Sequence, residues 1–455
     1  MIKRFIARLF GLSKHPSSRK SRLHRIPVGE HGILRERIAP CALKVTDTLQ
    51  QHGYSAFVVG GAVRDLLLNI TPKDFDVATN ASPEQIHRLF RRSHLIGRRF
   101  RLVHVLCGND TIEVSTFRAH ADSDAHQQAH LTDDTGRIVR DNVFGDQESD
   151  AERRDFTVNA LYYDPSSQEI WDYRGGVQDI QLKILRIIGD AATRYREDPV
   201  RMLRAARFAA KLDFHIDEHA RVPIPELADL LDNVPPSRLF DEMIKLLLSG
   251  HALRAIHQLR ADGLHRGVLP MLDDLLADEH SNRFITAALH NTDLRVQAGK
   301  SVSPAFLFAT LLWHDLQARH RQHMQAGENE IPALFLAMED TLDHQRTRLA
   351  IPRRLDGTLK EIWSLQPRFH QRNGARALRL LAHPRFRAGY DFLLLRAEGK
   401  EVERELADWW TQFQIADDHL RINMITGLAP VAAPKRRRRK KLAPEATSSE
   451  LSQHE

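Results

Sequence analysis

The segment Phe57-Val-Val-Gly-Gly-Ala-Val-Arg-Asp-Leu-Leu-Leu68 constrains this chain more than any other. A short apolar run over Ala56–Val59 predicts a strand that enters Gly60-Gly61 and passes at once into a helix over Ala62–Leu68. A strand joined to a helix by two glycines asks for a layered α/β unit. The turn also lets backbone N–H groups and a helix N-terminus come close to phosphate oxygens. Arg64, one turn into the helix, reinforces such a site. A Gly-Gly turn alone is more often structural than functional, so the reading needs a second feature.

Asp74 and Asp76 supply it, in Lys73-Asp-Phe-Asp-Val77. A strand over Asp74–Val77 turns both carboxylates to one face, with Phe75 and Val77 on the other. Two carboxylates so close repel unless a divalent cation shares them. Mg²⁺ takes one or two carboxylates together with substrate phosphates and water, which a phosphate turn beside an Asp-x-Asp strand provides. Mn²⁺ is an alternative, and a two-metal clamp on attacking and leaving oxygens is the usual completion.

Along the rest of the chain, a lead-in helix over Ala42–Gln51 ends near Gly53. Further strands are predicted over Val103–Cys107 and Thr111–Thr116, and a helix over Pro83–Arg91 with Ser82 as cap and Gln85 closing a capping box. Residues 119–145, rich in His, Asp and Gln, lose all periodicity and predict a mobile surface insertion; His120, His126 and His130 lack ligand spacing. From about 190 to 425 the pattern is helical, as in Pro199–Leu212, Pro236–Leu248 and Arg376–Leu381. The fold class is therefore α+β: a small mixed-sheet head followed by an all-helical neck and body. The boundaries fall at 1–35 (basic extension), 36–180 (head), 181–250 (neck), 251–428 (helical body) and 429–455 (basic tail).

Charge is distributed unevenly. Eight Lys or Arg occupy residues 1–26 without an acid, and seven more fill Lys435–Lys441. Setting those 15 aside leaves 51 of the 66 basic residues against 59 acidic ones, so the basic excess sits in two tails. Such tails suit loose contact with a polyanion, or localisation and solubility. Cys41 and Cys107 make neither a disulfide framework nor a zinc set, which points to a reducing compartment. No apolar stretch is long enough to span a bilayer. Ile2, Phe5, Ile6, Leu9 and Phe10 share one helical face, which leaves peripheral membrane contact open; the default compartment is the cytoplasm.

Gly60-Gly61-x-x-Arg64-Asp65 followed by Asp74-Phe-Asp76 resembles the head signature of the class II nucleotidyltransferases, which include bacterial poly(A) polymerases and many tRNA CCA-adding enzymes. The resemblance implies that Asp74 and Asp76 hold the metals, activate an RNA 3′ hydroxyl and bridge to the triphosphate of ATP. Two residues compete for a third acidic role. Glu113 lies in a predicted strand that can face the pair. Asp155 lies in Arg153-Arg-Asp-Phe-Thr-Val-Asn-Ala-Leu161, similar to a second motif of the group. There Arg154 contacts the triphosphate and Asp155 completes the site, so Asp155 ranks above Glu113; a local salt bridge to Arg153 or Arg154 is the plainer account of it.

Glu197-Asp-Pro-Val-Arg-Met-Leu-Arg-Ala-Ala-Arg207 sets Asp198, Arg201, Arg204 and Arg207 three apart, one charged helical ridge. On spacing alone this is equally an ion-paired solvated face. The resemblance implies that Asp198 and Arg201 read the incoming base while Arg204 and Arg207 face the nucleotide. An acceptor beside a donor matches the amino group and ring nitrogen of adenine or cytosine and opposes guanine and uracil. Adenylate rather than CCA rests on Leu95-Ile-Gly-Arg-Arg-Phe-Arg-Leu-Val-His-Val105, which resembles the polymerase branch, on Pro235–Glu242, on His383–Tyr390 and on the basic tail.

The expected activity is template-independent addition of adenylates to RNA 3′ ends, with RNA and ATP as partners and RNA-decay machinery as a further one. A tRNA CCA-adding enzyme and a non-catalytic RNA-binding regulator are the alternatives. His314-Asp315 resembles an HD phosphohydrolase pair, yet His280, His290 and Asp340 are not spaced to complete one. Trp363, Trp409 and Trp410 are expected to pack in the helical body.

Overall fold

The computed structural model describes residues 23–97, 101–108, 110–119, 130–132, 138–141, 143–264, 279–346 and 349–426. An eight-stranded mixed sheet forms the head. Its strands are β1 (His24–Ile26), β2 (Ala56–Val59), β3 (Asp76–Thr79), β4 (Ser93–Ile96), β5 (Leu102–Cys107), β6 (Asp110–Thr116), β9 (Leu161–Asp164) and β10 (Glu169–Asp172), with β7 and β8 lying apart. The order is β1-β10-β9-β2-β3-β6-β5-β4. Only β3 and β6 run parallel; the other neighbours are antiparallel.

β2 is buried along its whole length, because both faces of the sheet are covered. Ala56 and Val58 join the large core with the Pro40–Gln51 and Pro83–Leu89 helices. Phe57 and Val59 turn to the opposite face, into an aromatic layer with Phe117 and Tyr162. This follows the two-residue alternation of a strand, and each large side chain so buried contributes about 2 kcal/mol. Ser82 caps its helix and exchanges bonds with Gln85, as the sequence predicts.

Beyond the head the described chain is helical, from Ala191–Glu197 to Asp418–Thr426, apart from the two-residue strands Ile184–Leu185 and His215–Ile216. The large core runs through neck and body, and a second cluster around Phe369, Trp410 and Phe413 closes the C-terminal end. Trp363 and Trp410 are fully buried and donate to the carbonyls of Ala309 and Phe369; Trp409 packs against Phe413.

Three expectations change. The basic extension is not wholly separate: β1 is the edge strand of the head sheet, paired with β10, and His31 Nε2 donates to the Gln168 carbonyl. The insertion carries structure, since β7 (His130–Thr132) and β8 (Ile138–Asp141) pair as a short antiparallel ribbon, while 120–129 and 133–137 lie outside the described residues. The helix Pro40–Gln51 begins beside the end of β5, where Cys41 and Cys107 join in a disulfide with a Cα–Cα distance of 5.8 Å. Sixty-six residues separate the two, so no local spacing announces the pair. His314 bonds Glu401 and Asp315 pairs with Arg319, a structural arrangement at a helix start; among the described residues no group of three or more His, Cys, Asp or Glu is placed to hold a metal ion. The amphipathic segment 2–10, Arg98–Phe100 and the tail after 426 lie outside the described residues, and among those described no helix is long and apolar enough to cross a membrane.

Candidate active site

A cleft of about 730 Å³ opens between the head sheet and the first neck helices. Gly60, Gly61, Arg64, Asp74, Asp76, Arg154, Asp155, Asp198, Arg201, Arg204 and Arg207 all line it. Glu113 alone among the sequence-derived candidates does not.

The sheet side presents the Asp-x-Asp pair. Strand β3 begins at Asp76, so Asp74 sits in the loop just before it rather than in the strand; both are exposed. Asp76 pairs in parallel register with Glu113 of β6, and Glu113 has His104 of β5 as its other neighbour, with Nε2 3.7 Å from its carboxylate. Crowding has a measurable sign. Desolvation within the cleft, then the Glu113 carboxylate, push the Asp76 carboxyl up to about 6. Among the described residues no basic side chain forms an ion pair with Asp74 or Asp76.

Gly60 holds φ +71°, a left-handed conformation that favours glycine, and a Cβ there would meet Arg154 Nη1 at 3.4 Å. Its N–H donates to the Leu161 carbonyl, so that group serves the sheet rather than a ligand. Arg64 is buried, donating to Asp65 Oδ1 through Nε at 2.8 Å and to Asn159 Oδ1 at 2.5 Å. Its guanidinium is braced before any phosphate arrives.

The helical side is different, because its acids are matched. Asp155 accepts from Arg204 at 2.8 and 2.5 Å and from Asn159 at 3.1 Å. Burial would raise its pKa, but the Arg204 charge and those bonds hold the carboxyl well below the usual range. Its partner is thus Arg204, not Arg153 or Arg154. Arg207 donates to Glu242 at 2.6 Å, with both side chains nearly buried. Arg154 is committed to Asp150, at 3.0 Å, and to the Tyr162 hydroxyl, at 3.0 Å.

The charged ridge starts later than its spacing suggests. Asp198 caps the Ala191–Glu197 helix with extended backbone (φ −151°, ψ 93°), and Val200–Leu212 is a new helix. Pro199 enforces the break, since the residue before proline is driven out of the helical region. Arg201, Arg204 and Arg207 then follow on one helix. Arg201 donates to the Arg194 carbonyl at 2.7 Å and to Glu197 at 2.9 Å.

Three groups escaped the sequence reading. Arg194 is buried and donates to the carbonyls of Arg153 and Arg154 at 2.5 and 2.7 Å, pinning the second motif to the neck. Burial, then repulsion from Arg201, bring its pKa down to about 10. Asn159 bridges Arg64 and Asp155. Arg238, inside a segment noted only as typical of one branch, contacts Asp198. Lys73, Lys211 and Lys245 add to a lining of ten Lys or Arg and seven Asp or Glu, a surface fit for a polyphosphate.

Comparison with known proteins places these features. The Poly A polymerase head domain matches residues 56–186, the probable RNA and SrmB-binding site of polymerase A matches 213–276, and the polymerase A arginine-rich C-terminus matches 326–442. The chain is 46% identical to poly(A) polymerase I of Salmonella typhimurium over 421 residues, 91% of this chain and 90% of that protein. A CCA-adding enzyme of Geobacillus sp. is 37% identical over 57% of this chain and 60% of its own length. Among solved structures, the Thermotoga maritima CCA-adding enzyme complexed with tRNA superposes with a TM-score of 0.51 at 19% identity, over 89% of this chain and 85% of that one, a likeness of fold.

Proposed function

The chain belongs to the poly(A) polymerase family, and we propose that the two walls of its cleft divide the work: the sheet wall transfers, the helical wall selects. The protein is a nucleotidyltransferase that adds adenylates from ATP to RNA 3′ ends. The RNA 3′ oxygen attacks the α-phosphorus, the α–β phosphoanhydride bond breaks, and pyrophosphate leaves as the hydroxyl proton is lost. Positioning and electrostatics supply most of the rate in transfers of this kind.

The observation that carries the division is the contrast in pairing. Asp74 and Asp76 form no ion pair among the described residues, with Arg154 and His104 acting on Asp76 only at a distance, while Asp155, Asp198 and Glu242 each hold an arginine. Desolvation first, and then the neighbouring Glu113 and Asp74 carboxylates, raise the Asp76 pKa, and the pair fits a divalent cation that also takes phosphate oxygens. Asp74 and Asp76 would hold it, as Mg²⁺ in a two-metal site or Mn²⁺ in its place. When bound, the metal neutralises the phosphates and acidifies the 3′ hydroxyl. Arg204, Arg207 and Lys211 face the triphosphate charge, Asp155 and Glu242 keep two of those cations in place, and Asp198 with Arg201 reads adenine. Glu113, beside Asp76, tunes the pair.

The all-helical body holds RNA by its backbone. The cytoplasm is the working compartment, RNA-decay machinery the partner, and peripheral membrane contact through residues 2–10 is read by cosedimentation of the full chain with anionic vesicles. The activity test is incubation of the full chain with an RNA ending in unpaired nucleotides, ATP alone and Mg²⁺. Long adenylate tails are the expected product. Addition that requires CTP and stops after C, C and A on tRNA would overturn the reading.

A further inference from the structure

We propose that Arg238 is a specificity-determining residue that acts through Asp198, a role that rests on the base-reading assignment above. Arg238 donates from Nη1 to Asp198 Oδ1 at 3.0 Å and from Nη2 to Oδ2 at 3.1 Å. This is a two-point fork, one bond to each oxygen. A guanidinium engaged in this way fixes the plane of the carboxylate as well as its place, which a single charge cannot do. Asp198 needs that help. It sits between two helices on extended backbone, and its side chain is only partly buried, so the fork is a strong constraint on its plane.

The helix that carries Arg238, Pro236–Leu247, is built to brace the opposite wall. Glu242 lies one turn after Arg238, on the same face, and binds Arg207 at 2.6 Å. One helix therefore fixes an acceptor at one end of the charged helix and a donor near its other end. Arg201 has its own brace in Glu197 and the Arg194 carbonyl. Acceptor and donor are thus held by separate partners, and the spacing between them is set before a base arrives.

A carboxylate has about four acceptor sites, and the fork engages one on each oxygen. The orientation it imposes decides where the remaining sites lie for the amino group of adenine. Guanine places an oxygen there, and two acceptors repel. Loss of the fork removes the two-point constraint on the carboxylate plane, so the contact that separates adenine from guanine weakens for both the bound and the reacting nucleotide.

The test measures ATP and GTP incorporation into an unpaired RNA by wild type, Arg238→Ala and Arg238→Lys, with thermal melts alongside. Arg238→Ala is expected to raise KM for ATP about tenfold and lower the ATP-over-GTP preference by a similar factor, the effect of a lost bidentate contact. The loss falls on KM more than on kcat. Arg238→Lys, which keeps charge without the fork, falls between. In an Asp198→Asn background, Arg238→Ala adds little further loss of preference. A melt equal to wild type with KM and preference unchanged in Arg238→Ala overturns the proposal. So does an equal additional loss in the Asp198→Asn background, which also judges the role if Arg238→Ala is poorly folded, since Arg238→Lys carries the same comparison. Wild type that makes no tails from ATP overturns the reading beneath it instead.

Discussion

Within the cleft the Asp-x-Asp pair and the acids that face the neck helices are treated in opposite ways, while Asp65 of the head is matched by Arg64. On the helical wall each buried or half-buried acid meets an arginine: Asp155 with Arg204, Glu242 with Arg207, Asp198 with Arg238. On the sheet wall Asp76 lies beside Glu113 across the β3–β6 pair, and repulsion adds to desolvation in raising its pKa. A wall already neutralised can hold rigid donors and acceptors for recognition. A wall left negative recruits a cation and is silent without one. Pairing, more than residue type, separates the reading residues from the transferring ones.

The sharpest way to break this contrast is to remove a sheet-wall carboxylate. Asp76→Ala should lower tail synthesis at saturating ATP by about 10³-fold, as for loss of a principal electrostatic group, while its melting temperature stays close to wild type because Asp76 has no basic partner to strand. A helical-wall acid should behave in reverse. Glu242→Gln leaves the Arg207 guanidinium buried without its counter-charge and should cost about 3 kcal/mol of unfolding free energy in a denaturant titration, with Asp155→Asn similar through Arg204. An Asp155→Asn protein as stable as wild type would remove the ion pair from the account.

Acid should separate the walls without mutation. The Asp76 carboxyl titrates at about 6, so Mg²⁺ or Mn²⁺ affinity, measured by calorimetry, should fall about tenfold per pH unit below that value as protons compete for the ligand. Asp155 has the opposite shift. Its folded pKa lies below its unfolded value of 3.8, so the stability it contributes is present above that value and is lost only as pH falls toward the folded one. Between pH 7 and 5 metal binding should therefore weaken while the Asp155–Arg204 pair persists. The smallest effect belongs to Glu113→Gln: with one repelling charge gone, the acid limb of activity should move down by up to about one pH unit. An unmoved limb would mean that desolvation alone sets the Asp76 pKa.

Much of the cleft was legible because its parts are local. The strand, the Gly60-Gly61 turn, the Asp-x-Asp spacing and the capping box at Ser82 all fall within a few residues, where period and propensity operate. What was not legible depends on pairing across the fold. Glu113 is the exception: the sequence allows it to face the Asp pair, and parallel register does set it beside Asp76. Asp155 has two arginines beside it in sequence, yet its counter-charge is Arg204 of the Val200–Leu212 helix. Arg238 reaches Asp198 across forty residues, and β1 is three residues in a basic stretch, too short for any periodicity to show.

The most direct measurement of the divided cleft is the sequence of tails made from an equal mixture of the four nucleotides, on one short unpaired RNA with Mg²⁺, by wild type and by Asp198→Ala. Wild type should give nearly pure adenylate. Asp198→Ala should still transfer, more slowly, and give tails of mixed composition. Pure adenylate from Asp198→Ala, or C, C and A followed by arrest from wild type, would contradict the account.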